Sequence, residues 1–287
     1  MTEKRHPNHP GELGTDRRLA EVLRDPTEIG ARAQAIEVLQ DARVPFLVGG
    51  AYAYCQYTGI YRDTKDLDLF VRQRDAARAL DVLGRNGWRT ERFDEVWLYK
   101  GYRGEYFVDL IFSSGNGVAR VDQEWFEHAS LGEAFGREVL MAPPEEMIWS
   151  KAFVLERERY DGGDVNHIIR AVGDRLDWKR LLRRFGRYWE VLLSHLMLYR
   201  FVYPCDRAKV PERVMTELIS RTMGTLREGD WPGKMCRGPL ISRVNYEVDV
   251  QEWGYRNGRE WDENDRRRGG GRVGTGFELE DSSRSGG

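Results

Sequence analysis

The chain reads as an α/β protein of the α+β kind, with a mixed β-sheet flanked by helices and followed by a C-terminal helical bundle. Between residues 44 and 112, short apolar runs alternate at the two-residue period of strands and are interrupted by one amphipathic helical stretch. Beyond Met141 the apolar positions recur instead at helical spacing. With 287 residues, 40% of them hydrophobic, the chain suffices for one large domain or two modest ones.

Taken in order, residues 1–15 are polar and expected to be disordered, and Thr15 to Ala42 supplies one or two helices. Strands are expected near 44–48, 66–71, 88–92, 96–100 and 106–112, with a helix from Arg74 to Asn86 that stops at Gly87. The run WLYKGYRGEYFVDLIF reads as a hairpin turned at YRG that brings Asp109 beside the DLD strand. A mixed sheet with helices on one face results, and residues 16–141 form the first domain. Helices follow over about 143–159, 164–172, 177–186, 187–202 and 210–223, within a second domain spanning 142–253. Tyr188 to Tyr203 is apolar or aromatic on three sides and is expected at the centre of that bundle. Residues 224–253 form a punctuated loop with a strand or helix over 240–253, and the Gly, Arg, Asp and Ser excess of 254–287 predicts a disordered tail.

In YRDTKDLDLFV, the alternation of Asp66, Leu67, Asp68 and Leu69 sends both carboxylates to one face of a strand and both leucines to a core. Asp109, inside the apolar run YFVDLIF, offers a third acid. Such an oxygen-rich set suits a hard cation that also takes phosphate oxygens, and without a cation the like charges repel. Arg62 and Lys65, just ahead of the strand, either meet phosphates or keep a loop solvated.

Gly49 and Gly50 follow an apolar strand and precede AYAYCQYTG, which reads as a short helix on the sheet. Glycine at that corner lets backbone amides approach a ligand, and a helix N-terminus favours phosphate. The pair is neither GxxxxGK[ST] nor GxGxxG, so a phosphate site here depends on the carboxylates and a metal.

The GG, DLD and VDL elements, in this order, resemble the nucleotidyltransferase superfamily over roughly residues 30–205. RDTKDLDLF is similar in particular to bacterial stand-alone members: minimal and aminoglycoside-modifying nucleotidyltransferases and AbiEii-like toxins. That resemblance implies a catalytic domain over 16–141, with Asp66, Asp68 and Asp109 holding two divalent ions, Mg2+ or Mn2+, and Gly49 and Gly50 receiving the triphosphate of an NTP such as ATP. Asp109 would also activate an acceptor hydroxyl, which attacks the α-phosphorus in line and releases pyrophosphate. Implied partners are the NTP, a small-molecule, tRNA or protein acceptor, and, for a toxin, a cognate antitoxin. A catalytically silent nucleotide-binding protein of the same fold is the rival reading, and the intact acids weigh against it.

Downstream, Pro143 and Pro144 open a helix with Glu145 and Glu146 in its first turn, and Lys151 falls near its buried edge. Position alone leaves Lys151 open between snorkelling and contacting a triphosphate. By resemblance Lys151 and Asp164 join the nucleotide site, with Arg157 or Arg159 between them. In GGDVNHIIRAV, Asp164 reads first as an N-cap, and His167, three residues on, as a structural neighbour of it.

Composition excludes several classes. No apolar stretch approaches a membrane span and MTEKRHPNHPGELG lacks an export signal's apolar core, so a cytoplasmic protein is expected. A net charge of −2 argues against a protein that coats nucleic acid. Lys179, Arg180, Arg183 and Arg184 in KRLLRRFGR are expected on a solvated helix face. Cys55, Cys205 and Cys236 form no CxxC and read as free, buried thiols, and the histidine spacing fits no zinc motif.

Overall fold

The computed structural model describes residues 26–228 and 233–260. Two compact units divide at Gly229 and Asp230. In the first, helix α1 (Pro26–Asp41) leads to β1 (Leu47–Val48), α2 (Gly50–Thr58), β2 (Asp66–Phe70), α3 (Gln73–Arg85), β3 (Arg89–Asp94), β4 (Leu98–Arg103) and β5 (Tyr106–Ile111). There follow α4 (Gln123–Glu127), β6 (Ser130–Ala134), β7 (Arg137–Met141), α5 (Pro144–Lys151), α6 (Gly162–Val172), α7 (Trp178–Phe185), α8 (Trp189–Val202) and α9 (Glu212–Glu228).

The sheet runs β3-β4-β5-β2-β1-β7-β6 and is mixed: β2 pairs parallel with β5 and β1 with β7, while the other pairs are antiparallel. The expected mixed sheet with flanking helices and a helical region behind it is the observed one. Leu67 and Leu69 are fully buried, as are Val108 and Leu110, their register partners on β5. Gly101, opposite Val108, faces Leu83 of α3, so α3 covers this face of the sheet. The helix packs there with Ala76, Ala79, Leu80 and Leu83, and burial of each leucine contributes about 1.5–3 kcal/mol. It ends as expected at Gly87, whose φ of +85° few other residues adopt.

Several expectations need correction. The strand expected over 44–48 is confined to Leu47–Val48, and the hairpin β6–β7 arises where no strand is expected. The helix expected over 143–159 stops at Lys151, and the following chain folds back through a bridge between Leu155 and Tyr160. Helix α8 buries one side only, with Leu192, His195, Leu196 and Tyr199, while Met197, Phe201 and Val202 are exposed, Phe201 at 81%. It packs against α6, α7 and α9 through that side, so its apolar character on three sides does not correspond to burial on three. Arg180 is buried against Glu145 and Glu146, and the Arg184 side chain is only 7% exposed between Asp122, Glu124 and Glu146. Only Lys179 and Arg183 of that basic run sit on an exposed face. Cys55 and Cys236 are half-buried and Cys205 is exposed, so the free thiols are not core groups.

The second unit holds β8 (Met235–Cys236), α10 (Glu247–Gln251) and β9 (Arg256–Asn257), with β8 and β9 paired in parallel. Of the stretch expected as a strand or helix over 240–253, the helical part is α10. The segment 1–15 and most of the expected tail lie outside the described residues.

Candidate active site

Parallel pairing of β2 with β5 sets Asp68 beside Asp109, on the face opposite Leu67 and Leu69. Asp66, one side-chain period earlier, joins them, and one carboxylate oxygen from each of the three lies within 4.8 Å of the others. Thr64 Oγ1 donates to Asp66 Oδ1. The loop carrying Thr64 is tied to α1 by the buried Arg32, which donates to Thr64 O at 2.7 Å and to Tyr52 Oη at 2.6 Å.

The acids are held against their own repulsion. Asp68 is pushed up to about 7 by burial first, then by Asp66 and Asp109, with Lys151 and Arg159 opposing. Asp109, itself buried, is raised by burial and by Asp66, against Lys100. The Lys100 ammonium donates to Asp109 Oδ1 at 2.7 Å and to Oδ2 at 3.0 Å. Three carboxylates offering only oxygen donors, one of them raised to about 7 by burial and by the other two, form a set that a divalent hard cation fits and relieves.

Gly49 and Gly50 turn the chain from β1 into α2 at the edge of this cluster. Gly49 N–H donates to Asp68 O at 2.9 Å. A side chain on Gly49 would collide with the Phe70 ring at 2.1 Å, and Gly50 holds a φ of +52°. The initial N–H groups of α2 lack intrahelical partners and start next to the acids.

A second cluster flanks the first. Lys151, closing α5, pairs with Asp161 at 3.2 Å and Asp164 at 2.8 Å, and Arg159 pairs with Asp161 at 3.2 Å. Burial alone would raise Asp161, but Lys151 and Arg159 outweigh it and hold this carboxyl below its ordinary value. Arg62 reaches Asp164 at 2.5 Å, whereas Arg157 pairs, among the described residues, with the exposed Glu158. Asp164 is therefore not the helix cap: Gly162 and Gly163 lie inside α6, Asp161 takes the cap position, and Asp164 is a buried member of the ion cluster. His167 meets Tyr54 Oη at 2.7 Å rather than Asp164. Burial and Arg62 lower His167, and burial pushes Tyr54 up to about 12, so both are neutral at pH 7.

The structure thus brings Asp66, Asp68, Asp109, Gly49 and Gly50 together, with Lys151 and Arg159 in electrostatic reach of Asp68 and Asp164 held behind Lys151. Lys65 stands apart, exposed at the mouth of β2. Sequence reasoning overlooks Lys100 and Asp161. Lys100 was within reach of it, because a two-residue turn at Gly104 and Glu105 forces Lys100 opposite Asp109. Asp161 had no comparable signal.

This sheet and its acid cluster define a nucleotidyltransferase-superfamily fold with a candidate catalytic carboxylate triad. The family described as "Uncharacterised nucleotidyltransferase" matches residues 30–199, more than half of the chain, and the chain belongs to it. No curated protein matches. Among solved structures, an antigenic nucleotidyltransferase-like protein from Paracoccidioides brasiliensis is similar with 18% identity and a TM-score of 0.42, over 64% of this chain and 94% of that one. The antibiotic-resistance factor ANT(2'')-Ia is similar with 16% identity and a TM-score of 0.39, over 71% and 98%. The lincosamide antibiotic adenylyltransferase LnuA is similar with 14% identity and a TM-score of 0.37, over 50% and 96%. Among the described residues no helix is long and apolar enough to cross a membrane.

Proposed function

We propose that the chain transfers the nucleoside monophosphate of an NTP to an acceptor hydroxyl and releases pyrophosphate. The observation that carries this reading is the meeting of Asp66, Asp68 and Asp109 on one face of two parallel strands, beside the Gly49–Gly50 turn. A divalent ion, Mg2+ or Mn2+, would be held by these carboxylates and would supply charge neutralisation to the phosphates.

The remaining work belongs to the chain itself. Backbone N–H groups at the start of α2 donate to the phosphate oxygens without a side chain in the way. Lys151 provides a point charge toward the triphosphate, and Asp164 orients it from behind while Arg62 holds Asp164 in turn. Arg159 adds a second positive group on the same side. Lys65 meets the outer phosphates from the exposed strand mouth. Asp109 accepts the proton of the acceptor hydroxyl, whose oxygen bonds to the α-phosphorus as the bond to pyrophosphate breaks.

The test is transfer from each α-labelled NTP in Mg2+ or Mn2+, offered to an aminoglycoside panel, total tRNA and a protein lysate, beside Asp66→Ala/Asp68→Ala. Label entering one acceptor class only with the acids intact establishes the reaction and names the acceptor. Entry into tRNA or protein selects the toxin-like variant of the same chemistry. No transfer, together with no metal-dependent NTP binding by calorimetry, overturns the enzyme reading.

A further inference from the structure

Lys100 stands directly across from Asp109 in the β4–β5 register and contacts both oxygens of its carboxylate. Its side chain is only 15% exposed. The ammonium lies 5.4 Å from the Phe93 ring centre and 4.7 Å from that of Phe107, so aromatic faces confine it over the acid. Asp109 is thus already occupied by a cation, whereas Asp66 and Asp68 pair with no base among the described residues. An ammonium cannot ligate a metal, and it repels one that approaches the same oxygens. Once a divalent ion has displaced the proton that Asp68 holds, the three carboxylates and the Lys100 ammonium together present a net charge of −2, which one such ion neutralises.

We propose that Lys100 is a built-in cation of the site: in the resting chain it holds Asp109, a divalent ion binds through Asp66 and Asp68, and Asp109 joins only when the ammonium withdraws. Lys100 is then a positioning residue, acting on the reaction through Asp109. The inference rests on the metal-site reading of the acids and adds an order to their use.

Calorimetric Mn2+ binding to the full chain tests it through Lys100→Met, Asp109→Asn, the double variant and Lys100→Arg. Lys100→Met tightens Mn2+ by roughly 10- to 100-fold, the range over which partners of metal ligands tune affinity. Asp109→Asn alone leaves the affinity nearly unchanged but removes the gain in the Lys100→Met background, and Lys100→Arg restores the native value. Should the methionine variant fail to melt cooperatively, Lys100→Gln takes its place. Additive effects, an unchanged affinity in Lys100→Met, or an Asp109→Asn loss as large as that of Asp66→Asn overturns the inference while leaving the metal site intact. Absence of Mn2+ binding in every variant overturns the metal site itself and this inference with it.

Discussion

Gly50 is pressed against Asp68: a Cβ on Gly50 would lie 1.7 Å from Asp68 Oδ2. The glycine turn and the acid strand are therefore one device. The turn brings the backbone N–H groups of α2 beside the carboxylates only because neither residue carries an atom into the space of the other.

Gly50→Ala is expected to damage metal binding more than folding. The φ of +52° costs an L-residue roughly 1–2 kcal/mol, and the new methyl must also displace the Asp68 carboxylate. Gly87→Ala is the control, since Gly87 holds a φ of +85° with open space around it. Both variants lower the urea midpoint, but only Gly50→Ala weakens Mn2+ binding by calorimetry. Equal Mn2+ affinity in the two would separate the turn from the acids.

Without metal, the chain should lose stability as pH rises from about 4 to about 7. Asp68 is raised from 3.8 to about 7 in the folded state, so between those values the native chain binds the extra proton and stability falls with increasing pH. Asp68→Asn shallows this slope, leaving the part owed to the raised Asp109 and Glu146, and raises the melting temperature at pH 8, by about 2–4 °C for each kcal/mol recovered. Saturating Mg2+ should remove the part of the slope that belongs to the cluster, because the ion replaces the proton. Melting curves from pH 4 to 8 read all of this, and a slope as steep in Asp68→Asn as in the native chain refutes the assignment to Asp68.

Lys151→Met is expected to raise KM for the NTP with the fold retained, because the ammonium faces Asp68 as well as its partners Asp161 and Asp164. Asp164→Asn loosens Lys151 without removing its charge and should give a smaller rise of the same kind. Steady-state kinetics on both variants checks the order. A larger effect from Asp164→Asn would make Asp164 itself a ligand.

The acids were legible because a strand's two-residue period puts Asp66 and Asp68 on one face, and because the Gly49–Gly50 pair and Asp109 accompany a DLD run that alone would read as a solvated strand end. Hairpin β4–β5 was legible for the same reason, and its register fixed Lys100 as well. Hairpin β6–β7 was hidden by its turn and its surface. Phe135 and Gly136 take φ of +52° and +72°, a turn usually signalled by Asn-Gly, and Phe135 holds that shape while its ring packs 5.0 Å from Tyr52. Leu131 is 64% exposed there, so the apolar residues do not mark the buried face. Arg180 misled for the opposite reason, since a basic run predicts solvent wherever buried partners are distant in sequence.

Those partners hold Arg180 as a buried charge outside the site. Its guanidinium donates to both oxygens of Glu146 at 2.6 Å and to Glu145 Oε2 at 2.5 Å, while Glu145 Oε1 accepts from the Asp177 N–H at 2.7 Å. Burial raises Glu146 even though Arg180 and Arg184 oppose it, so the pair of acids tolerates burial only through its arginines. Arg180→Met should cost about 3–5 kcal/mol, the usual consequence of leaving a buried charge without its partner. The loss should be larger at pH 8 than at pH 5: with Arg180 gone Glu146 is raised further, and stability lost to a raised carboxyl grows as pH climbs. Adding Glu145→Gln and Glu146→Gln to Arg180→Met should recover much of it and remove the pH dependence. Urea midpoints of the single and triple variants at both pH values decide this, and a pH-independent loss in Arg180→Met would mean that packing, rather than charge, sets the role of Arg180.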